Sequence, residues 1–209
     1  LNAPENVFIN CPFDEDYRPC FEALVFAVSV SGYKARCTLE DADAATIRFE
    51  KLRRLIGECP RTIHDLSRIE LSKDALPRFN MPFELGLAMG AKYFGGAKRR
   101  SNSALIMVRK DYVLSSYLSD LGGNDPVSHD GDPNRVISAV TGYLHSTPEG
   151  ELLPGPRATI RRLARFKDRL PDLAKALHRD EDEVHPYKNY RAFLALISEF
   201  LKGEQTLGA

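Results

Sequence analysis

The chain has 209 residues, with 29 lysines and arginines against 29 aspartates and glutamates, and 43% of it is hydrophobic. That supports one core-forming domain with an appendage, and the charge balance argues against a general nucleic-acid or anionic-membrane binder. No apolar run approaches the roughly 20 residues of a membrane span, and no basic leader precedes the first strand candidate, so the expectation is a cytoplasmic protein.

Val7-Phe8-Ile9 reads as a short buried strand ending at Asn10-Cys11-Pro12-Phe13-Asp14. Phe21, Leu24, Val25 and Val28 recur at helical spacing, and Gly32 stops that helix. Residues 33–39 predict a second strand. Ile47, Leu52, Leu55 and Ile56 mark a helix whose other side carries Arg48, Lys51, Arg53 and Arg54. Thr62-Ile63-His64-Asp65 is the third strand candidate, followed by an irregular loop containing Pro77. A helix over residues 82–94 ends at Gly95-Gly96, and residues 104–108 are a fourth strand.

Further on, Leu114, Tyr117, Leu118 and Leu121 suggest a helix, residues 122–133 a polar loop, and residues 136–144 another helix. Residues 148–156 read as a linker. Helices over 157–177 and 187–201 follow, separated by an acidic turn at 179–183. Tyr190, Phe193, Leu194, Ile197 and Leu201 form an apolar stripe that packs back on the sheet or makes a homo-oligomer contact.

Alternating strands and helices predict a doubly wound, flavodoxin-like α/β fold with strand order 2-1-3-4 and room for a fifth strand. The division is an α/β domain over residues 1–147 and a C-terminal helical extension over 148–209. Ligands of such sheets bind at the carboxyl ends of the strands. Asn10, Glu40, Asp65 and the loop before Glu84 lie on that edge.

Within the run Arg78-Phe79-Asn80-Met81-Pro82-Phe83-Glu84, the carboxylate of Glu84 opens a helix rich in small residues. As an acid in the first turn it would complement the helix dipole. Alternatively, Leu85-Gly86-Leu87-Ala88-Met89-Gly90 lets the helix approach its neighbours and draws Glu84 inward.

Asp65-Leu66-Ser67 followed by Phe83-Glu84-Leu85-Gly86-Leu87-Ala88 resembles the nucleoside 2-deoxyribosyltransferase family and its TIR-like NAD-hydrolysing relatives of bacterial defence systems. The resemblance spans about residues 6–110. It implies a flavodoxin-like sheet and a helix-borne glutamate, here Glu84, that attacks or stabilises the anomeric carbon of a ribosyl group. Asp65 matches the family's aspartate near the nucleoside, or is a turn residue after its strand.

Asn10 and Ser67 are candidate hydrogen-bonding groups for sugar or phosphate, and Arg68 and Arg78 candidates for a pyrophosphate. Phe13, Tyr17 and Asn80 complete the candidate substrate-binding set. The first loop, Asn10 to Asp14, departs from the family's glycine-containing turn, which favours hydrolysis over deoxynucleoside transfer.

Cleaving an N-glycosidic bond builds positive charge at the anomeric carbon, which a close carboxylate stabilises or traps. Nicotinamide leaves as a neutral molecule without protonation, so one carboxylate suffices for NAD. An ordinary nucleoside needs a second acid.

No HExxH, G-x-S-x-G, GxGxxG or Walker pattern occurs. Cys11, Cys20, Cys37 and Cys59 contain no CxxC pair, so they read as reduced and structural, and a Cys11–His64 nucleophilic pair stays open. The expectation is a hydrolase of NAD or a related nucleotide, with no cofactor beyond that substrate. A deoxyribosyltransferase and a nucleotide-sensing module are the alternatives.

Overall fold

The computed structural model describes residues 5–67, 79–110, 118–147 and 153–207. Five parallel strands form one sheet in the order β2-β1-β3-β4-β5: β1 Asn6–Asn10, β2 Lys34–Arg36, β3 Arg61–Asp65, β4 Ser103–Val108 and β5 Val127–Ser128. Helices α1 (Arg18–Val30), α2 (Arg48–Glu58), α3 (Asn80–Phe94), α4 (Pro133–His145), α5 (Pro156–Ala176) and α6 (Tyr190–Leu207) complete it. This is the expected doubly wound, flavodoxin-like arrangement with C-terminal helices. Its strand order reverses between β1 and β3, the position at which such sheets open a crevice.

Period-two alternation divides the sheet's side chains between two layers. Val7, Ile9, Ile63, Leu105 and Met107 join one core cluster with residues of α1, α4, α5 and α6. Phe8 packs on the other side with Leu52, Leu55, Ile56 and Ala88 of α2 and α3. Leu66, Ile106 and Val108 meet Met81 and Leu85 there. Neighbouring positions on one strand therefore serve opposite layers.

Helix α1 is buried at Cys20, Phe21 and all of residues 23–28, as suits a helix enclosed by the sheet and by other helices. It ends because Gly32 adopts φ +78°, which lets Tyr33 N–H return to the Val28 carbonyl at 3.2 Å.

The C-terminal stripe is spent inside the chain. Tyr190, Phe193 and Ile197 are buried and Leu194 partly so, as are Leu196 and Phe200. Phe166 of α5 stacks on Phe26 of α1 at 5.4 Å and meets Phe200 edge-on at 5.5 Å. One apolar cluster thus runs from the sheet into the extension.

Several boundaries differ from the sequence reading. The second strand is three residues long and passes into a 3-10 turn, Thr38–Glu40. Strand β5 falls within the polar stretch 122–133, because two residues carry no legible alternation. Residues 119–121 form a 3-10 turn, while Leu114 and Tyr117 lie outside the described residues. The small residues of α3 do not bring it close to neighbours throughout: a Cβ added at Gly86 or Gly90 meets nothing within 4 Å.

Two stability outcomes follow. Gly86→Ala and Gly90→Ala are expected to raise stability by about 0.5–1 kcal/mol each, since both sit in a helix interior with open space before them. Phe200→Ala is expected to cost about 3–5 kcal/mol and to lower one shared urea transition, followed by far-UV and aromatic signals alike.

Candidate functional site

At the carboxyl ends of β1 and β3, alternation sends the polar side chains in opposite directions. Asn10 and His64 face the α2–α3 layer, where the Asn10 amide nitrogen donates to the Met81 carbonyl at 2.9 Å and to His64 Nδ1 at 3.0 Å. Because Nδ1 accepts, the His64 proton resides on Nε2, which is buried without a hydrogen-bond partner among the described residues. Burial pushes the His64 pKa down to about 3 and keeps the ring neutral.

Asp65, the next residue, faces the α1 layer and has no exposed surface. It accepts from the Tyr17 hydroxyl, from the Ser67 hydroxyl, from Ser67 N–H at 2.9 Å and from His129 Nε2 at 2.9 Å. Burial alone would raise its carboxyl, but His129, Ser67 and Tyr17 together hold it below the ordinary range. Burial and the Asp65 charge keep the Tyr17 phenol protonated, well above its usual pKa.

His129 Nδ1 accepts Gly131 N–H at 3.0 Å, so its proton sits on Nε2, between Asp65 and the Ser67 oxygen 2.8 Å away. A serine-hydrolase base would need that nitrogen free to accept a proton from Ser67. The cluster therefore ties β3 to the turn after β5, where Asp130 and Gly131 take φ 53° and 76°. It is a structural knot.

A separate cleft of about 130 Å³ opens over the ends of β1 and α3. Asn10, Phe13, Thr38, Arg48, Asn80 and Glu84 line it with Cys11 and Met81. Glu84 is 5% exposed, and the exposed Arg48 places its Nη2 3.6 Å from Oε1. Burial lifts the Glu84 carboxyl from 4.5 to about 7 despite Arg48.

The first-turn role for Glu84 is not what the helix adopts. α3 begins at Asn80 with no acidic residue in its first turn and no side-chain cap. Glu84 lies one turn into the helix, lining the cleft.

Of the predicted site residues, Asn10, Phe13, Asn80 and Glu84 come together in the cleft, whereas Tyr17, Asp65 and Ser67 form the knot on the other face of the sheet. Arg68 and Arg78 lie outside the described residues. Cys11 bridges the two regions. Burial raises its thiol well above the usual value, and the Asp65 and Glu84 carboxylates both add to that effect. A protonated Cys11 in the α1-side cluster and a neutral His64 bonded to Asn10 in the other layer make a poor nucleophilic pair. Cys20, Cys37 and Cys59 are likewise free and buried, each pushed up to about 12.

Arg48, Thr38 and His129 were not among the sequence candidates. Arg48 looked like one of several surface arginines on α2, and His129 lies 62 residues from Ser67. Phe49 follows Arg48 and Phe83 precedes Glu84 in the chain, with ring centroids 6.4 Å apart and 45% and 54% exposed. A larger open depression, of about 440 Å³, is lined by charges already paired with one another, such as Arg36 with Glu40 and Arg54 with Asp41. No helix among the described residues is long and apolar enough to cross a membrane.

Compared with protein-family models, curated proteins and solved structures, the chain matches none of them.

The raised carboxyl of Glu84 gives a signed stability test. A folded-state pKa near 7 against 4.5 unfolded means that ionising Glu84 costs the folded state on the order of 3 kcal/mol, a cost absent at pH 4 and complete above pH 7. Neutral burial of His64 acts in the opposite direction on acidification, so the informative quantity is a difference. Glu84→Gln is expected to be more stable than the wild type at about pH 8 and to lose that advantage by about pH 5, measured by urea denaturation across pH.

Proposed function

We propose that the cleft binds NAD or a related nucleotide and hydrolyses its N-glycosidic bond, with Glu84 as the catalytic residue. The observation that carries this reading is that Glu84 is the one acid lining the cleft among the described residues, and it is buried. A carboxylate that is costly to ionise when the cleft is empty has most to gain from a cation beside it.

The substrate preference rests on the absence of a second acid lining the cleft among the described residues. In NAD the bond from ribose C1′ to the pyridinium nitrogen breaks with its electron pair passing to nitrogen, so nicotinamide leaves neutral. Water then bonds to C1′, and its proton is lost through Glu84 to solvent. ADP-ribose, nicotinamide and one proton result, and no proton donor to the leaving group is needed. An ordinary nucleoside leaves a base that must be protonated, and Asp65, turned into the opposite layer, is poorly placed to do so.

The cleft is small beside the roughly 300–1,000 Å³ of ligand pockets, which suits a sugar ring at Glu84 with the rest of the nucleotide outside. The exposed Phe49 and Phe83 rings offer a face to the cationic pyridinium. Arg48 and the Asn80 and Met81 amides at the start of α3 offer donors to phosphate. Depletion of NAD would suit a defence effector, as the resemblance implies.

Purified protein offered NAD and, separately, purine and pyrimidine nucleosides is expected to release nicotinamide and leave the nucleosides intact, read by mass spectrometry. Turnover should rise with pH through about 7 as Glu84 ionises, and Glu84→Gln should lower it by about a hundredfold or more. Wild-type turnover by Glu84→Gln would remove Glu84 from the chemistry. NAD binding without turnover by the wild type would replace hydrolysis with sensing.

A further inference from the structure

The cleft has one wall that the α/β domain does not hold unaided. Phe13 belongs to the loop after β1, and Thr38 opens the 3-10 turn after β2. That turn has no side-chain cap, and β2 is an edge strand of the sheet.

Both segments are gripped by one short stretch of the C-terminal extension. The Tyr187 hydroxyl donates to the Asp14 carbonyl at 3.1 Å, and its ring meets Phe13 edge-on at 6.0 Å. The Tyr190 hydroxyl donates to the Ala35 carbonyl of β2 at 3.1 Å. Arg191 Nε donates to the Glu40 carbonyl, at the end of the 3-10 turn, at 2.9 Å.

We infer that Tyr187 and Arg191 are positioning residues that set one wall of the cleft, making the C-terminal extension part of the ligand site. The inference rests on the cleft being the functional site. Glu84 and Arg48, on α3 and α2, make no hydrogen bond or ion pair to this stretch among the described residues, so the extension governs the fit of the ligand and leaves the catalytic carboxylate in place. Three hydrogen bonds to backbone carbonyls fix the course of two loops whatever their side chains. Release of the grip therefore frees both loops together.

The test pairs Tyr187→Phe, which keeps the ring and removes the hydroxyl, with Arg191→Met. Cys11 and Cys37 lie on the gripped segments, while Cys20 and Cys59 lie elsewhere, and all four are buried. In the double variant, maleimide labelling of Cys11 and Cys37 read by mass spectrometry should accelerate about tenfold, with Cys20 and Cys59 at wild-type rates. KM for NAD should rise severalfold with kcat within about twofold, and restoring Arg191 as Lys should recover part of both effects.

Equal acceleration at all four cysteines, or none at Cys11 and Cys37, would overturn the inference. So would unchanged KM with the two thiols released. If the wild type does not turn NAD over, the proposed reaction fails, while the labelling pattern and the affinity for NAD still decide the positioning role.

Discussion

Two adjacent residues of β3 divide the chemistry of this molecule. His64 and Asp65 end the same strand, and the pleat forces their side chains into opposite layers. On one side, Asp65 finds Tyr17, Ser67 and His129, and a buried charge surrounded by donors becomes part of the framework. On the other, His64 takes the Asn10 amide and stays neutral, leaving the cleft above it with Glu84 as its acid. Both carboxylates are almost fully buried, yet their environments push their protonation in opposite directions. Donors keep Asp65 ionised, while burial raises the Glu84 carboxyl to about 7 despite Arg48. On the proposed function, that separation sets Glu84 apart as the reactive acid and Asp65 as a structural one.

Among the described residues, burying Glu84 with one exposed arginine 3.6 Å away is an unfavourable use of a carboxylate if stability is the only criterion. Local rules of folding are commonly broken where function requires it. The polar knot around Asp65 serves the opposite end, tying the last strand to the sheet through the turn at Asp130 and Gly131. The C-terminal helices extend the core through Phe26, Phe166 and Phe200 and reach the cleft wall through Tyr187 and Arg191.

The sheet and most helices were legible because short apolar runs and 3.6-residue stripes survive without tertiary context. Val7 to Ile9 and residues 104–108 are examples, as is the stripe from Tyr190 to Ile197. Strand β5 was not legible, since Val127 and Ser128 carry no period. Reasoning about strand ends and a helix start brought Asn10 and Glu84 to one cleft, which both do line. The same reasoning grouped Asp65 with them, because both lie on the carboxyl edge. Which face a strand-end residue takes depends on the layer that its neighbour Ile63 enters, and that is settled only by packing. His129 and Arg48 act through partners 62 and 36 residues away respectively, distances at which a single sequence gives no pairing signal.

The central claim is that Glu84 is held proton-hungry in the empty cleft and is relieved by a cationic sugar–base linkage. Carbon-13 NMR titration of the Glu84 side-chain carboxyl, assigned by comparison with Glu84→Gln, measures this directly. The account predicts a midpoint near 7 in the free protein, shifted clearly downward by NAD and little changed by its reduced form, whose nicotinamide ring carries no charge. A midpoint in the ordinary range for glutamate, or one that moves equally with both forms, would contradict it.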